Sequence, residues 1–237
     1  MSEKTIRSFW DKKAKENPYW YVSSYCGYDS HRDMQEFWAS GPRIWADLKR
    51  ELHYSPRPAD IVVEIGCGVG RLTRAIALEV GHVEAFDISE EMLRIAKAGS
   101  VCNAIFRLAD GFNLASLEDN SADLVFAYCV FQHLPSLSAL RDYLLDMVRV
   151  AKPGAIVAFT LTARDWKVNL MPLFRVRAYL RELVSRTGPR GLYCKEWVGI
   201  RPTESSVTKI SPIRLKRVTM HGDKWLFWGV MRREGET

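Results

Sequence analysis

One stretch, residues 61–73, constrains the fold of this chain more than any other. It opens with Ile61-Val62-Val63-Glu64-Ile65, a short run of mostly β-branched apolar residues, which is typical of a strand covered on both faces of a sheet. Gly66, Gly68 and Gly70 follow, and glycine allows tight backbone angles and leaves room for a ligand. A helical pattern begins directly afterwards. A strand that ends in glycines and leads into a helix is typical of a nucleotide-type site.

The spacing of these glycines separates two kinds of nucleotide loop. A dinucleotide loop requires G-x-G-x-x-G, but here the third glycine comes one position early, at Gly70, and Arg71 fills the dinucleotide slot. The phosphate-loop pattern with its lysine is absent from the stretch. What remains is Glu64-x-Gly66-x-Gly68-x-Gly70, and the alternative to a ligand loop is a turn that only connects a strand to a helix.

Length and composition describe an ordinary globular chain. Its 237 residues are 47% hydrophobic and 26% charged, which fits one domain with a sizeable core. The sequence shows neither an apolar run of about 18 residues nor a signal core, so we expect a cytoplasmic protein without a membrane span. The 5 cysteines are scattered and form no C-x-x-C pair, which indicates reduced thiols and no metal site.

The chain is moderately basic, with a formal net charge of +6. A basic balance can indicate nucleic acid, an anionic membrane surface or an acidic substrate as the partner. Because the excess is modest, we expect a solvated basic surface instead, and we do not expect nucleic acid as a partner.

Strand and helix patterns alternate from residue 61 onward. The strands are expected at Ile61–Ile65, Val83–Phe86, Ala104–Leu108, Asp123–Tyr128 and Ala155–Thr160. Ser89 and Ser136 precede helical patterns as N-caps, and Lys152-Pro153-Gly154 stops the helix before the fifth strand. This alternation predicts an α/β fold with a doubly wound, mostly parallel sheet. Two late segments, 214–220 and 224–231, alternate like a hairpin and predict an antiparallel C-terminal strand.

The chain divides into a leader and a core domain. Residues 1–55 are predicted to form an N-terminal helical and aromatic lid, and residues 56–237 the ligand-binding domain with a cap insertion at about 165–200. In the leader, Asn17-Pro18 breaks a first helix and Gly41-Pro42 is expected to kink or split a second one. An arginine-rich helix lies in the cap. We expect it to carry a solvated basic face, with RNA, anionic lipid or an anionic substrate as the alternatives.

Acidic residues follow the second and third predicted strands. Asp87 stands where a carboxylate can accept hydrogen bonds from both ribose hydroxyls of a nucleotide, and the alternative is a helix N-cap or a surface residue. Asp110 ends the third strand, and the alternative there is a turn residue before Gly111.

Several motifs together resemble one family. Glu64-x-Gly66-x-Gly68-x-Gly70 is similar to motif I of the class I S-adenosylmethionine-dependent methyltransferases, and residues 123–134 are similar to motif IV. With Asp87, Asp110 and the Lys152-Pro153-Gly154 turn, these motifs follow the order of the family over about residues 60–160. The chain therefore resembles a class I methyltransferase of the small-molecule type. The resemblance implies a seven-stranded Rossmann-like sheet, S-adenosylmethionine as the cofactor, S-adenosylhomocysteine as the product, and no metal.

The resemblance also implies a set of cofactor contacts. Glu64 lies near the ammonium group, Asp87 takes the ribose, and Asp110 lies beside the adenine amino group with neighbouring backbone groups. The residues implied to bind the cofactor are Glu64, Gly66, Cys67, Gly68, Gly70, Asp87, Ile88, Met92, Asp110, Gly111 and Cys129. Cys129 would border the sulfonium, and Cys67 is given no reactivity.

The acceptor side carries fewer signals. His133, just after the fourth strand, is the candidate general base, because a histidine can take a proton near neutral pH. The alternative is a histidine that packs in the loop or caps the next helix. Aromatic residues of the leader are weaker candidates for catalysis or for an aromatic lid over the acceptor, and a leader that only packs on the sheet is the alternative. These residues are Tyr19, Tyr21, Tyr25, Tyr28 and His31.

The expected function is methyl transfer from S-adenosylmethionine to an oxygen or nitrogen atom of a small molecule, with the chain a monomer or a homodimer. Asn17-Pro18-Tyr19-Trp20 resembles the Asn-Pro-Pro-Tyr element of nucleic-acid amino-methyltransferases, but it lacks the second proline and follows a charged helix. The alternatives are an RNA or protein methyltransferase and a catalytically silent cofactor-binding module.

Overall fold

The computed structural model describes most of the chain. The described residues are 3–23, 34–99, 101–109, 112–162, 176–177, 179–182, 190, 192, 194–200, 202–212, 216–219 and 226–232. Several candidate site residues named above lie outside these ranges, namely Tyr25, Tyr28, His31, Asp110 and Gly111.

Five parallel strands form the centre of the fold. They are β1 (Ile61–Ile65), β2 (His82–Asp87), β3 (Ala104–Leu108), β4 (Ala122–Ala127) and β5 (Ala151–Thr162). Their order in the sheet is β3-β2-β1-β4-β5, and each neighbouring pair is parallel. The predicted Rossmann-like parallel sheet is confirmed. The strand order reverses between β1 and β4, which opens a crevice at their carboxyl ends.

Two further strands extend the sheet beyond β5. These are β6 (Lys216–Thr219) and β7 (Leu226–Arg232), and the sheet order continues as β5-β7-β6. The β7 strand pairs antiparallel with β5, and β6 pairs antiparallel with β7.

Helices cover the two faces of the sheet. They are α1 (Glu3–Glu16), α2 (Pro18–Val22), α3 (Met34–Leu52), α4 (Arg71–Ala77), α5 (Glu90–Ala98), α6 (Leu137–Val150), α7 (Lys195–Val198) and α8 (Glu204–Ile210). Residues 176–177 and 179–182 are also helical. Within the described ranges, no helix is both long and apolar enough to cross a membrane.

Alternate residues of the strands supply two cores. Val63 and Ile65 of β1 pack with Leu140 of α6 on one face, because successive side chains of a strand point to opposite sides. Val62 packs on the other face with Ile76 of α4 and the helices α3 and α5. Because both faces of β1 are covered, its residues other than Glu64 are apolar.

The predicted helix caps are confirmed. The Ser89 side chain accepts a hydrogen bond from the Met92 amide at the start of α5, and the Ser136 side chain accepts one from the Ala139 amide at the start of α6. Asn17 caps α2 in the same way, since its side chain accepts from the Trp20 amide. Within the described residues, the role of Asn17 in the Asn-Pro-Tyr-Trp stretch is therefore to start a helix.

The ends of β2 and β4 differ by one residue from the sequence expectation, and two larger differences concern α3 and β5. The α3 helix runs unbroken from Met34 to Leu52, so Gly41-Pro42 does not split it. A Cβ at Gly41 would lie 2.5 Å from the Arg71 carbonyl oxygen, which shows that the glycine lets α3 pack closely against α4. The α6 helix ends at Val150 and β5 begins at Ala151 instead of Ala155, so Lys152-Pro153-Gly154 lies within the strand and is not the turn that stops the helix. The register of β5 with β4 shifts between Ala122 and Leu124. Tertiary packing decides both places.

Candidate active site

A cavity of about 460 Å³ opens at the carboxyl ends of β1, β2 and β4. This is where the strand order reverses, and the volume lies in the range of about 300–1,000 Å³ that small-molecule sites occupy. Its wall includes most of the residues predicted to bind a cofactor, namely Glu64, Gly66, Cys67, Gly68, Asp87, Ile88, Met92 and Cys129. Tyr21 and His133 from the predicted acceptor side line the same cavity.

The glycine loop is held to the end of β2. The amides of Gly66 and Cys67 both donate to the Phe86 carbonyl, at 2.7 and 2.9 Å. Gly66 and Gly68 have φ values of +74° and +55°. A Cβ at Gly66 would lie 2.2 Å from Val130, and one at Gly68 would lie 2.7 Å from Val22. The glycines therefore let the loop after β4 and the helix α2 approach this loop closely.

Gly70 has a different role from the other two glycines. It stands before α4 with φ +78°. A Cβ there would lie 3.3 Å from Phe106 and 3.4 Å from Ala96, which are core residues of β3 and α5. In the structure this glycine faces the packed interior and shapes the turn into the helix.

Asp87 ends β2 and faces the glycine loop. Its Oδ2 accepts from the Gly68 amide at 2.8 Å, and its Oδ1 accepts from the Ser89 amide at 2.9 Å. Burial of the carboxyl raises the pKa of Asp87 to about 6, and these backbone donors work against the rise. The side chain is thus fixed on the cavity wall by two backbone groups.

Glu64 lies deeper, with 3% of its surface exposed. Its Oε2 accepts from the Thr73 hydroxyl at 2.6 Å. Burial raises the pKa of Glu64 to about 7, while the Thr73 hydrogen bond and the nearby Arg71 guanidinium lower it and Asp87 adds to the rise. A cationic group placed in the cavity would stabilise the ionised form of this carboxyl.

Arg71 is a site residue that the sequence analysis did not single out. It is 7% exposed and lines the cavity beside Glu64. Its Nη1 donates to the Ser40 hydroxyl at 2.7 Å, and its guanidinium lies 5.3 Å from the centre of the Phe37 ring. Its position after the glycines is the signal that could have indicated this role.

The two cysteines of the cavity differ in geometry. Cys67 is 3% exposed, and burial raises the pKa of its thiol, which keeps the sulfur protonated and unreactive. Cys129 follows β4 with φ +59°, a left-handed conformation that is uncommon for a residue with a side chain. Its amide donates to the Thr160 hydroxyl at 2.6 Å, and its carbonyl accepts from Gln132 Nε2 at 2.8 Å. These bonds hold the loop after β4 in a strained shape at the cavity.

His133 lies on the short 3₁₀ turn Phe131–His133 that follows this loop. Its Nδ1 is 2.7 Å from the Trp197 carbonyl oxygen. A carbonyl oxygen can only accept, so Nδ1 carries the proton and Nε2 is the accepting nitrogen of the neutral ring. The imidazole lies 5.0 Å from the Trp10 ring and 5.2 Å from the Trp197 ring, measured between centroids.

Aromatic residues of three elements meet beside His133. Trp197 lies 6.0 Å from Trp20, 5.7 Å from Tyr21 and 5.9 Å from Trp10, between ring centroids. The hydroxyl of Tyr21 contacts the backbone of Arg190 through Arg190 N at 2.9 Å and Arg190 O at 3.0 Å. Trp10, Tyr21 and Trp197 line the cavity, and we call these three residues the aromatic wall.

Tyr19 lies elsewhere. Its ring packs against Phe37 at 5.2 Å and Trp38 at 6.2 Å, between α2 and α3. The Tyr19 ring thus belongs to the packing of the leader and is not among the residues that line the cavity. Trp10 and Trp197, which the sequence analysis did not single out, line the cavity together with the predicted Tyr21. The sequence gives no local signal for Trp197, because its neighbours come from distant parts of the chain.

Helix α1 closes one side of the cavity. Ile6 and Trp10 line it, one helical turn apart. Arg7 Nη2 donates to the Ala109 carbonyl at 2.9 Å, and Asp11 Oδ1 accepts from the Ser89 hydroxyl at 2.7 Å. These two bonds join α1 to the segments that follow β3 and β2. In the part of the chain that the structure describes, His, Cys, Asp and Glu form no group of three suited to a metal ion.

Comparison with known proteins adds independent findings. Residues 63–159 match a family model described as "Methyltransferase domain". The chain is 29% identical over 151 residues to a ubiquinone biosynthesis O-methyltransferase of Hahella chejuensis, which covers 62% of this chain and 59% of that protein. It is 34% identical over 101 residues to a phosphoethanolamine N-methyltransferase of Triticum aestivum, covering 41% of this chain and 20% of that protein.

Some solved structures are similar over nearly the whole chain. An example is the magnesium protoporphyrin IX methyltransferase of Synechocystis PCC 6803 with bound S-adenosylhomocysteine, with a TM-score of 0.64 and 16% identity, covering 98% of this chain and 100% of that chain. At this identity the likeness shows the fold alone. The matches to three ubiquinone O-methyltransferases span 58–64% of their length.

Proposed function

We propose that this chain, whose domain belongs to the class I S-adenosylmethionine-dependent methyltransferases, transfers a methyl group from S-adenosylmethionine to an oxygen or nitrogen atom of a small molecule. The observation that carries the proposal is one cavity in which the glycine loop, Asp87 and Glu64 converge. O-, N- and C-methyltransferases all occur among the similar proteins, so the choice of an oxygen or nitrogen acceptor rests on the sequence expectation and not on these relatives.

The residues of the cavity fit this cofactor. Glu64 is a buried carboxyl, and the ammonium group of the cofactor would stabilise its ionised form. Asp87 can accept hydrogen bonds from the two ribose hydroxyls. Ile88 and Met92 offer apolar side chains on the adenine side. Arg71 supplies a positive charge at the methionine end, where a carboxylate would lie. We assign Asp110 and Gly111 to the adenine edge from the resemblance alone.

The acceptor would rest against the aromatic wall. When bound, S-adenosylmethionine supplies a methyl group on a sulfonium that leaves as a neutral thioether by in-line displacement. The chain's own contribution is to orient the acceptor and exclude water, which can supply much of the rate. His133 Nε2 would take the proton from the acceptor as the new bond to carbon forms. Gln132 Oε1 is buried without a donor among the described residues and would accept the second hydrogen of an amine acceptor.

In our proposal, the leader and the cap close the cavity around the cofactor and the acceptor. Residues 1–55 act as the lid, supported by the α1 contacts of Arg7 and Asp11. The region at about 165–200 acts as the cap, supported by Trp197 on the cavity wall.

A pair of variants tests the proposal. Asp87→Ala should weaken S-adenosylhomocysteine binding at least about 10-fold, because hydrogen bonds to a charged group contribute about 1.5–3 kcal/mol each. His133→Ala should leave this affinity within about 2-fold and slow methyl transfer by about 10²–10⁴-fold when a proton must leave. Transfer is measured as S-adenosylhomocysteine released with pools of small-molecule acceptors.

The outcomes separate the alternatives. Equal loss of binding in both variants would reject the role given to His133. Cofactor binding without product from any acceptor pool would favour a catalytically silent module. Transfer to RNA or protein acceptors instead of small molecules would reject the substrate class.

A further inference from the structure

We propose that Trp197 is a positioning residue for the proton transfer, an inference that rests on the proposed function. Its main-chain carbonyl selects the tautomer of His133, and its ring forms part of the aromatic wall. Trp197 thus contacts both the acceptor, through its ring in the aromatic wall, and His133, through its carbonyl oxygen.

The tautomer follows from the hydrogen bond. The Trp197 oxygen lies 2.7 Å from His133 Nδ1 and has no proton to give. Nδ1 must therefore donate, which leaves Nε2 as the nitrogen that can accept a proton. In the other neutral tautomer Nε2 already carries its proton and cannot act as a base. The carbonyl therefore favours the competent tautomer, and Gln132 Nε2, a donor 3.5 Å from His133 Nε2, favours the same one.

The segment after Trp197 is built to lie against the turn that carries His133. The Ile200 amide donates to the Gln132 carbonyl at 3.0 Å. Gly199 has φ +52°, and a Cβ there would lie 1.9 Å from the Gln132 oxygen and 2.6 Å from the His133 Cα. Both contacts are with backbone, which cannot move aside as a flexible side chain can. Glycine at this position is what allows the carbonyl to reach the imidazole.

The ring of Trp197 provides the link to the acceptor. It lies 5.2 Å from the imidazole and 5.9 Å from Trp10, between centroids, and it lines the cavity. An acceptor that rests on this ring holds the cap residue in place, and the same residue holds the base. A poorly fitting acceptor that displaces the ring would move the carbonyl as well. Selection of the acceptor and activation of the base would then depend on one contact.

Nitrogen NMR of the full chain with bound S-adenosylhomocysteine tests this inference directly, because ¹⁵N shifts of the ring report which nitrogen carries the proton. His133→Gln identifies the signal. In the wild type we expect the Nδ1–H tautomer as the major neutral form. In Gly199→Ala we expect the Nε2–H tautomer to become a large fraction. Trp197→Phe keeps the carbonyl, so the wild-type tautomer should persist.

Gly154→Ala is the matched control. Gly154 also has a left-handed backbone, with φ +80°, but a Cβ there meets nothing within 4 Å. Gly154→Ala therefore introduces the same kind of backbone strain without a clash at His133. The tautomer of His133 in this variant should match that of the wild type.

A wild-type Nε2–H tautomer would overturn the inference, even if Gly199→Ala fails to fold. An unchanged tautomer in folded Gly199→Ala would also overturn it. The proposed function fails separately, through the absence of S-adenosylhomocysteine binding by the wild-type chain.

Discussion

The buried carboxyl of Glu64 allows a quantitative test of the site without any acceptor. We consider Glu64→Gln, which keeps the size of the side chain and can keep a hydrogen bond with Thr73 but cannot ionise. Burial raises the pKa of Glu64 from 4.5 to about 7. The folded state therefore binds this proton more tightly than the unfolded state does. Its contribution to stability is complete below pH 4.5 and is lost as the pH rises through about 7.

The size of the effect follows from the shift in pKa. One pKa unit corresponds to about 1.4 kcal/mol, so a shift from 4.5 to about 7 makes the ionised protein less stable by about 3 kcal/mol above pH 7. Between pH 5 and pH 8, the free energy of unfolding of the wild type should therefore fall by about 2.5 kcal/mol more than that of Glu64→Gln. Since Glu64 is 3% exposed, solvent screening is small.

Urea unfolding of the ligand-free chain at pH 5 and pH 8 measures this difference. Glu118→Gln makes the same charge change at an exposed position and should show the pH dependence of the wild type. Saturating S-adenosylhomocysteine should reduce the pH dependence of the wild type, because its ammonium group would stabilise the ionised Glu64. Equal pH dependence in the wild type and Glu64→Gln would refute the reasoning about this carboxyl.

Three further predictions concern the lid, the helix packing and the partner class. Asp11→Ala removes the hydrogen bond between helix α1 and the Ser89 hydroxyl, so stopped flow should show S-adenosylhomocysteine leaving several-fold faster. Lys12→Ala, at an exposed position of the same helix, should leave the release rate unchanged. Equal release rates in the two variants would contradict the role of α1 in the lid. Gly41→Ala should lower the free energy of unfolding, measured with urea, by about 1–3 kcal/mol, because the new Cβ would clash with the Arg71 carbonyl oxygen. Helix propensity alone predicts a more stable protein, and that result would contradict the packing argument. Fluorescence anisotropy should show no strongly salt-dependent binding of single-stranded RNA, and tight salt-dependent binding would favour the nucleic-acid alternative.

The sequence predicts the parts of this structure that depend on neighbouring residues. The apolar run before the glycines requires a buried strand, and the Ser89 and Ser136 caps act on amides within three residues. These signals are local, so they indicate the parallel sheet and the position of the cavity. Asp87 is local only in part, because the Ser89 amide is two positions away and the Gly68 amide is 19 positions away.

Long-range packing decides the rest. The role of Trp197 depends on a carbonyl that meets His133 across 64 positions of the chain, and no local pattern indicates this meeting. Tyr19 resembles the other leader tyrosines in sequence, yet it packs away from the cavity against Phe37. Pro42 would end an isolated helix, but α3 is buried against α4 and continues through it.

The central claim is that this cavity binds the adenosyl cofactor. Isothermal titration calorimetry of the purified chain with S-adenosylhomocysteine tests it most directly. We expect one binding site per chain, with an affinity that falls at least about 10-fold in Asp87→Ala. Absence of binding heat with either S-adenosylmethionine or S-adenosylhomocysteine at millimolar ligand, together with an unchanged melting temperature, would contradict the account.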